Sequence, residues 1–127
     1  MTTTPDERGP ASVYGVGSEP DPRFSLANER TALAWIRTGF ALVAGGVALS
    51  SLAVLADLSV LLEVVAAASC LGGGAVAARA LLGWRRYERA LRLGQPLPAP
   101  RSLPALVAGV VIMAVALAVH AVVVSVR

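Results

Sequence analysis

The stretch TGFALVAGGVALSSLAVLA, residues 38–56, runs for 19 positions without a charged side chain. A helix needs about 20 apolar residues to cross the hydrocarbon core of a bilayer, so this length fits one membrane span. Two further runs have the same character: residues 58–82, interrupted only by Glu63 and Arg79, and residues 103–126, interrupted only by His120. The sequence therefore predicts an all-α membrane protein with three transmembrane helices.

The composition supports the same class. Of 127 residues, 56% are hydrophobic and 15% are charged, whereas a soluble domain averages about 45–50% apolar and about 25% charged residues. A soluble helical bundle is the competing interpretation, and three such runs leave it little polar surface. The chain has no lysine, one histidine and one cysteine, which disfavours Schiff-base chemistry and a Cys/His zinc site. We therefore expect no enzymatic activity, cofactor, metal site or nucleic-acid partner.

Helix-capping and helix-breaking residues predict where the helices begin and end. Residues 1–20 are polar with scattered Gly and Pro, which predicts a disordered cytoplasmic tail, and residues 21–127 form the three-helix transmembrane domain. Asp21 followed by Pro22 is typical of a helix start. The first long helix would then run from Pro22 to Ala56, with an amphipathic cytoplasmic extension before the membrane. The second helix would continue beyond its span until Gly94 ends it.

The distribution of arginine predicts the orientation in the membrane. Ten of the eleven arginines lie before the first apolar run or near the connection between the second and third runs, and only Arg127 lies at the other side. Arginine-rich segments stay in the cytoplasm, which predicts a multi-pass protein of the plasma (inner) membrane with its N-terminus inside and its C-terminus outside. Trp35, Trp84 and Tyr87 fall at the same predicted interface, as an aromatic belt does.

Arginines also form the main candidate functional feature. Arg23, Arg30 and Arg37 recur every seven residues, drift by about 20° per step and make one stripe about 21 Å long. Two interpretations stay open: the arginines anchor the helix to lipid headgroups, or the stripe faces the axis or mouth of a homo-oligomer. Further candidates for binding anions or anionic lipids lie in the second helix, at Arg79, Arg85 and Arg86.

Two acidic residues accompany these arginines. Glu29 is a candidate ion-pair partner for an arginine of a neighbouring helix, and a solvated Glu29 at headgroup level is the equal alternative. Glu88 and Arg92 have the i,i+4 spacing of a favourable ion pair.

Small residues in the second helix predict a close contact with another helix. They are spaced four apart, with Ser69, Gly73 and Ala77 alongside, at Ala66, Cys70, Gly74 and Ala78. Small side chains let membrane helices approach backbone to backbone, within one chain or between subunits.

The run DPRFSLANERTALAWIRTG, residues 21–39, and the run GWRRYERALRLG, residues 83–94, closely resemble a family of small bacterial inner-membrane proteins of unknown function, the YidH-like family. The resemblance implies three membrane helices. The same domain resembles the membrane part of the eukaryotic vacuolar transporter chaperone, in which basic residues line a path for polyphosphate in a five-subunit assembly. By position, this resemblance implies basic sites at Arg23 and Arg30 and an acidic site at Glu29. The chain lacks a polymerase domain, so synthesis is not implied.

The arginine distribution leads to a direct test of orientation. Single cysteines introduced as Thr2→Cys and Arg127→Cys, each in a Cys70→Ala background, should be labelled by an impermeant maleimide from opposite sides of the inner membrane. We expect residue 127 to react from outside and residue 2 only after the membrane is opened. Labelling of residue 127 from the cytoplasmic side alone would refute the predicted topology.

Overall fold

The computed structural model describes residues 7–56, 59–99 and 102–126. Over these residues the chain is helical without strands, as α1 (Ala11–Tyr14), α2 (Pro22–Ala56), α3 (Val60–Arg92) and α4 (Ser102–Ser125). The last three helices are long and apolar enough to cross a membrane, which confirms the predicted fold class. Arg101 and Arg127, which entered the arginine count, lie outside the described residues.

Local structure explains the predicted start of α2 and the predicted end of α3. The backbone N–H of Arg23 donates to Oδ1 of Asp21 at 2.9 Å, which satisfies one of the free N–H groups at the start of α2. Just beyond α3, Gly94 has a φ of 62°, a left-handed conformation that glycine adopts without steric cost. The chain therefore leaves α3 at the position that the sequence predicts.

The helices α2 and α3 form an antiparallel hairpin with their backbones in contact. A Cβ atom built on Gly39 would lie 2.6 Å from the carbonyl oxygen of Gly73, and one built on Gly46 would lie 2.6 Å from Sγ of Cys70. The Ser69 hydroxyl donates to the carbonyl oxygen of Leu42 at 2.7 Å. Close approach of this kind adds dispersion contacts and interhelical hydrogen bonds, which hold helices together in lipid.

The face of α3 that contacts α2 differs from the face that the four-residue spacing of small residues predicts. Ala66 is buried and Cys70 faces Gly46, but Gly74 and Ala78 are exposed. Four residues turn a helix by about 400°, so each step moves the face by about 40° and three steps move it by about 120°. The face that stays on α2 alternates steps of three and four, and Gly73 takes the central place that the pattern assigned to Gly74.

The helix α4 stands apart from this hairpin. No residue in its most apolar window is buried. At one end, Nε2 of His120 lies 3.3 Å from Oγ of Ser59. The linker that precedes α4 is also held, because the Tyr87 hydroxyl donates to the carbonyl oxygen of Pro98 at 2.9 Å. Between α4 and the hairpin lies a cavity of about 650 Å³.

Residues 7–20 differ from the predicted disordered tail. Residues 7–20, called the strap here, comprise α1 and the segments on either side of it, and α1 packs on the end of α3. Val13 is buried, and the N–H of Ser18 donates to the carbonyl oxygen of Arg92 at 3.0 Å. The polar composition hid two anchoring side chains, Val13 and Tyr14. Residues 1–6 of the predicted tail lie outside the described residues.

The glycine contact yields a matched pair of variants. Gly73→Leu should destabilise the protein by more than about 1–3 kcal/mol, the usual cost of overpacking, because the new side chain meets the backbone of α2 at Gly39. Gly74→Leu adds the same side chain one residue away, where a Cβ meets nothing within 4 Å. Unfolding in mixed detergent–SDS micelles should separate the two variants, and equal stability of both would contradict the contact.

Candidate functional site at the basic end

The basic end is defined here as the end of the hairpin at which α2 begins and α3 terminates. Because the two helices are antiparallel, this end collects the arginines of both. They are Arg23, Arg30 and Arg37 on α2, and Arg79, Arg85, Arg86, Arg89 and Arg92 on α3. The strap adds Arg8. Some of these nine arginines form hydrogen bonds, ion pairs or ring contacts with other residues of the chain, and the others are exposed.

Glu88 is the centre of the buried polar contacts at this end. It is 3% exposed and accepts hydrogen bonds from the Ser25 hydroxyl at 2.7 Å and from Nδ2 of Asn28 at 3.2 Å. The same amide nitrogen donates to the carbonyl oxygen of Trp84 at 3.1 Å. A carboxylate this deeply buried needs such donors because it has lost its hydration. Glu88 thus joins the start of α2 to the end of α3.

Arg92 is the ionic partner of Glu88. Its Nε lies 3.8 Å from Oε1 of Glu88, and its side chain is 4% exposed. This confirms the ion pair that the i,i+4 spacing predicts. Its burial is a product of tertiary packing, because Tyr14 and Glu19 of the strap contact its guanidinium group.

Residues of the strap form ion pairs, ring contacts or hydrogen bonds with three arginines. Tyr14 places its ring 4.6 Å from the guanidinium carbon of Arg92 and 4.9 Å from that of Arg8. Glu19 contacts both cations, at 2.6 Å from Nη2 of Arg8 and 3.4 Å from Nη2 of Arg92. Nη1 of Arg89 donates to the carbonyl oxygen of Ser12 at 3.1 Å. These three arginines therefore serve to hold the strap.

The predicted arginine stripe is left uncovered. Within the described residues, Arg23, Arg30 and Arg37 are exposed and form no side-chain hydrogen bond or ion pair. The face of α2 that contacts α3 includes Ser25, Asn28, Gly39 and Gly46. At about 100° per residue, the stripe lies roughly 170° from the centre of that face. It therefore points away from α3, towards lipid, solvent or another chain.

The remaining candidates separate by position. Arg79 lines the cavity beside α4, whereas Arg85 and Arg86 are exposed outside its lining. In the part of the chain described, none of the three forms an ion pair. Glu29 is also exposed and pairs with none of them, because it is rotated by about 100° from Asn28. The intrachain acidic partner is Glu88 instead, which sequence reasoning recognised only as a partner of Arg92.

A sequence signal for the Glu88 cluster does exist. Ser25, Asn28, Ala32, Trp35 and Gly39 follow one another at steps of three and four, the spacing of a helix face that packs on another helix. A polar Ser and Asn at the start of such a face call for a buried partner. Over the described residues, no group of three metal-ligating side chains comes together.

The fold and this end of the hairpin define a small multi-pass membrane protein with an arginine-rich face. Residues 23–93 match the family model described as Domain of unknown function (DUF202), and the chain belongs to this family. It is 44% identical to Inner membrane protein YidH of Escherichia coli (strain K12) over 107 residues, which are 84% of this chain and 91% of that protein.

A second relative is an uncharacterized protein of Mycobacterium tuberculosis (strain H37Rv). It is 44% identical over 84 residues, which are 63% of this chain and 66% of that protein. No solved structure matches the chain. With three apolar helices and an inner-membrane relative, the chain is an integral, multi-pass inner-membrane protein.

The Glu88 cluster predicts a large difference between two similar substitutions. Glu88→Gln keeps the shape but removes the charge beside buried Arg92, and breaking a buried pair costs about 3–5 kcal/mol. We expect the lower end of this range because Glu19 still contacts Arg92. Glu29→Gln, on an exposed side chain, should change the free energy of unfolding by less than about 0.5 kcal/mol. Equal effects in an SDS titration would contradict the assigned role of Glu88.

Proposed function

We propose that this protein is an oligomeric inner-membrane protein that binds anions at its basic end, with polyphosphate as the candidate polyanion. The observation that carries the proposal is the stripe of Arg23, Arg30 and Arg37, which is exposed and without an acidic partner among the described residues. The same end neutralises Arg8 and Arg92 with carboxylates. Folding thus leaves a set of cations uncompensated along one line of α2.

The geometry of the stripe suits an extended anion. Its three arginines span about 21 Å at 1.5 Å per residue, and a chain of phosphates offers charges at several points along that length. Guanidinium groups bind phosphate oxygens through paired, charge-assisted hydrogen bonds. Arg85 and Arg86 extend the positive surface from α3. In the topology that the arginine count predicts, this surface faces the cytoplasm.

Oligomerisation is supported by the surroundings of the stripe. Ala27, Ala34 and Ala41 lie beside the arginines and are exposed, so another helix could approach this side closely. Arginines of several subunits around one axis would repel each other, and a bound anion offsets that repulsion. Assembly and anion binding would then stabilise each other.

A non-conducting scaffold or accessory subunit is the alternative, and the cavity favours it. The described residues that line the space between α4 and the hairpin are mostly apolar, and no acid is among them. Among its described lining residues, this cavity therefore offers no continuous polar path along the helices. In this alternative, the stripe holds anionic lipid headgroups, with each arginine contributing about 1 kcal/mol.

Polyphosphate binding to purified protein in neutral-lipid nanodiscs tests the proposal. Arg30→Gln should weaken binding of a polyphosphate chain by about tenfold or more, which corresponds to about 1.4 kcal/mol for one lost charge-assisted contact. Arg8→Gln is the matched control, because it removes one positive charge from the same end but from a side chain that already contacts Glu19. Its effect should be clearly smaller.

Oligomer size and anion flux into liposomes complete the experiment. Wild-type protein that binds no polyphosphate and raises no flux would refute the anion-binding proposal and leave the scaffold. Binding without flux would support anion recognition and exclude conduction. Equal losses for the Arg30 and Arg8 variants would show that net charge, rather than the stripe, attracts the anion.

A further inference from the structure

The cavity beside α4 is a second candidate site, on a different side of α2 from the arginine stripe. Its volume of about 650 Å³ lies within the roughly 300–1,000 Å³ of small-molecule sites. His120 of α4 contacts Ser59, and Pro98 in the linker before α4 contacts Tyr87, but no residue in the most apolar window of α4 is buried. The long middle of α4 is therefore separated from α3 by a space that reaches along the helices.

The lining changes character along the cavity. At the basic end it includes Asn28, Trp35, Arg79 and Tyr87, which carry polar or amphipathic side chains. Towards the opposite end it consists mainly of apolar residues, among them Val64, Ala68, Met113 and Ala116. Ser69 also lies there, but its hydroxyl donates to the carbonyl oxygen of Leu42. An apolar lining favours contact with apolar groups over water. The lining therefore fits an amphiphile whose polar group lies at the basic end.

The charge of that polar group follows from the lining. Arg79 is the one cation among the described lining residues, no acid accompanies it, and it forms no ion pair within the described chain. Glu88 lies near this end of α3, but Ser25, Asn28 and Arg92 already occupy it. An anionic group beside Arg79 would therefore meet attraction without a competing carboxylate.

The length of the apolar part fits one acyl chain. From Arg79 to Val64 the helix rises about 22 Å at 1.5 Å per residue. One leaflet contributes about half of the roughly 30 Å hydrocarbon core, so a chain anchored beside Arg79 finds apolar lining over its whole depth. In a bilayer, phospholipids are the amphiphiles that lie next to α4.

We infer that the cavity binds one anionic phospholipid from the surrounding bilayer, with the phosphate at Arg79 and one acyl chain between α4 and the α2–α3 hairpin. The lipid would fill the space that α4 leaves and would hold α4 against the hairpin. This inference is independent of the stripe and of polyphosphate binding, because Arg23, Arg30 and Arg37 do not line the cavity.

The tryptophans of the chain can report on binding at this site through their fluorescence. It has two tryptophans, Trp35 and Trp84, and both line the cavity. Bromine on an acyl chain quenches tryptophan fluorescence at short range. We therefore compare phosphatidylglycerol and phosphatidylcholine, each brominated on one acyl chain and each added as a minor component to unlabelled phosphatidylcholine nanodiscs containing the full chain.

Wild-type protein should show saturable quenching that is several-fold stronger with brominated phosphatidylglycerol than with brominated phosphatidylcholine. Arg79→Gln should lower quenching by phosphatidylglycerol to the phosphatidylcholine level. Arg85→Gln is the matched control, since it removes an equal charge from an exposed α3 residue outside the lining, and it should keep the preference. Equal quenching by both wild-type lipids, or equal losses in the two variants, would overturn the inference.

A second variant tests the space without removing Arg79. Gly109 lines the cavity, and a Cβ built on it meets nothing within 4 Å, so Gly109→Phe can project a ring into the space. It should abolish the preference for phosphatidylglycerol while leaving the thermal unfolding transition in place. A Gly109→Phe protein that keeps the full preference would show that the lipid binds elsewhere and would overturn the inference. Weak quenching of the wild-type protein by both lipids would also overturn the inference, because it would mean that α4 or a second copy of the chain fills the space.

Discussion

The structure depends on the backbone contact between α2 and α3 at Gly39 and Gly73. In hydrocarbon, burying apolar side chains against other apolar groups provides little driving force, so packing and interhelical hydrogen bonds must hold the hairpin together. Glycines at this crossing remove the side chains that would separate the backbones, and Ser69 adds a hydrogen bond to the carbonyl oxygen of Leu42. The position of every arginine at the basic end follows from the register that this contact sets.

Once the register is set, the basic end acquires two opposite electrostatic environments. On the side that faces α3, Ser25 and Asn28 meet Glu88, and the strap completes the enclosure of Arg92 through Tyr14 and Glu19. Charges there are compensated and the contacts are structural. On the far side of α2, the same helix presents Arg23, Arg30 and Arg37 without acidic partners among the described residues. The same helix is thus structural on one face and cationic on the other.

The last helix, α4, is held in a different way from the α2–α3 hairpin. α4 is almost entirely apolar, and the hydrogen bonds that link this part of the chain to the hairpin are made by His120 and by Pro98 in the preceding linker. A helix with no polar face has no preferred side in lipid, so its orientation depends on what fills the space beside it. The small protein thus combines a tightly packed hairpin with a large cavity beside α4.

The sequence by itself determined the class of protein and the ends of the helices. Three long runs with few or no charges favour membrane spans over a soluble bundle. Asp21-Pro22 and Gly94 act through local backbone geometry, which needs no knowledge of the rest of the chain. The stripe of arginines is likewise a property of one helix.

Only the tertiary structure decided which faces meet. Four-residue spacing pointed to Gly74, but the neighbouring Gly73 makes the contact because the face that stays on α2 alternates steps of three and four. The strap seemed polar enough to be disordered, yet Val13 and Tyr14 hold it on α3 because Trp84, Arg92 and Glu19 converge there. Glu88 rather than Glu29 became the buried acid for the same reason: burial depends on the rotation of one helix against another, and that rotation is set by contacts between residues far apart in the chain.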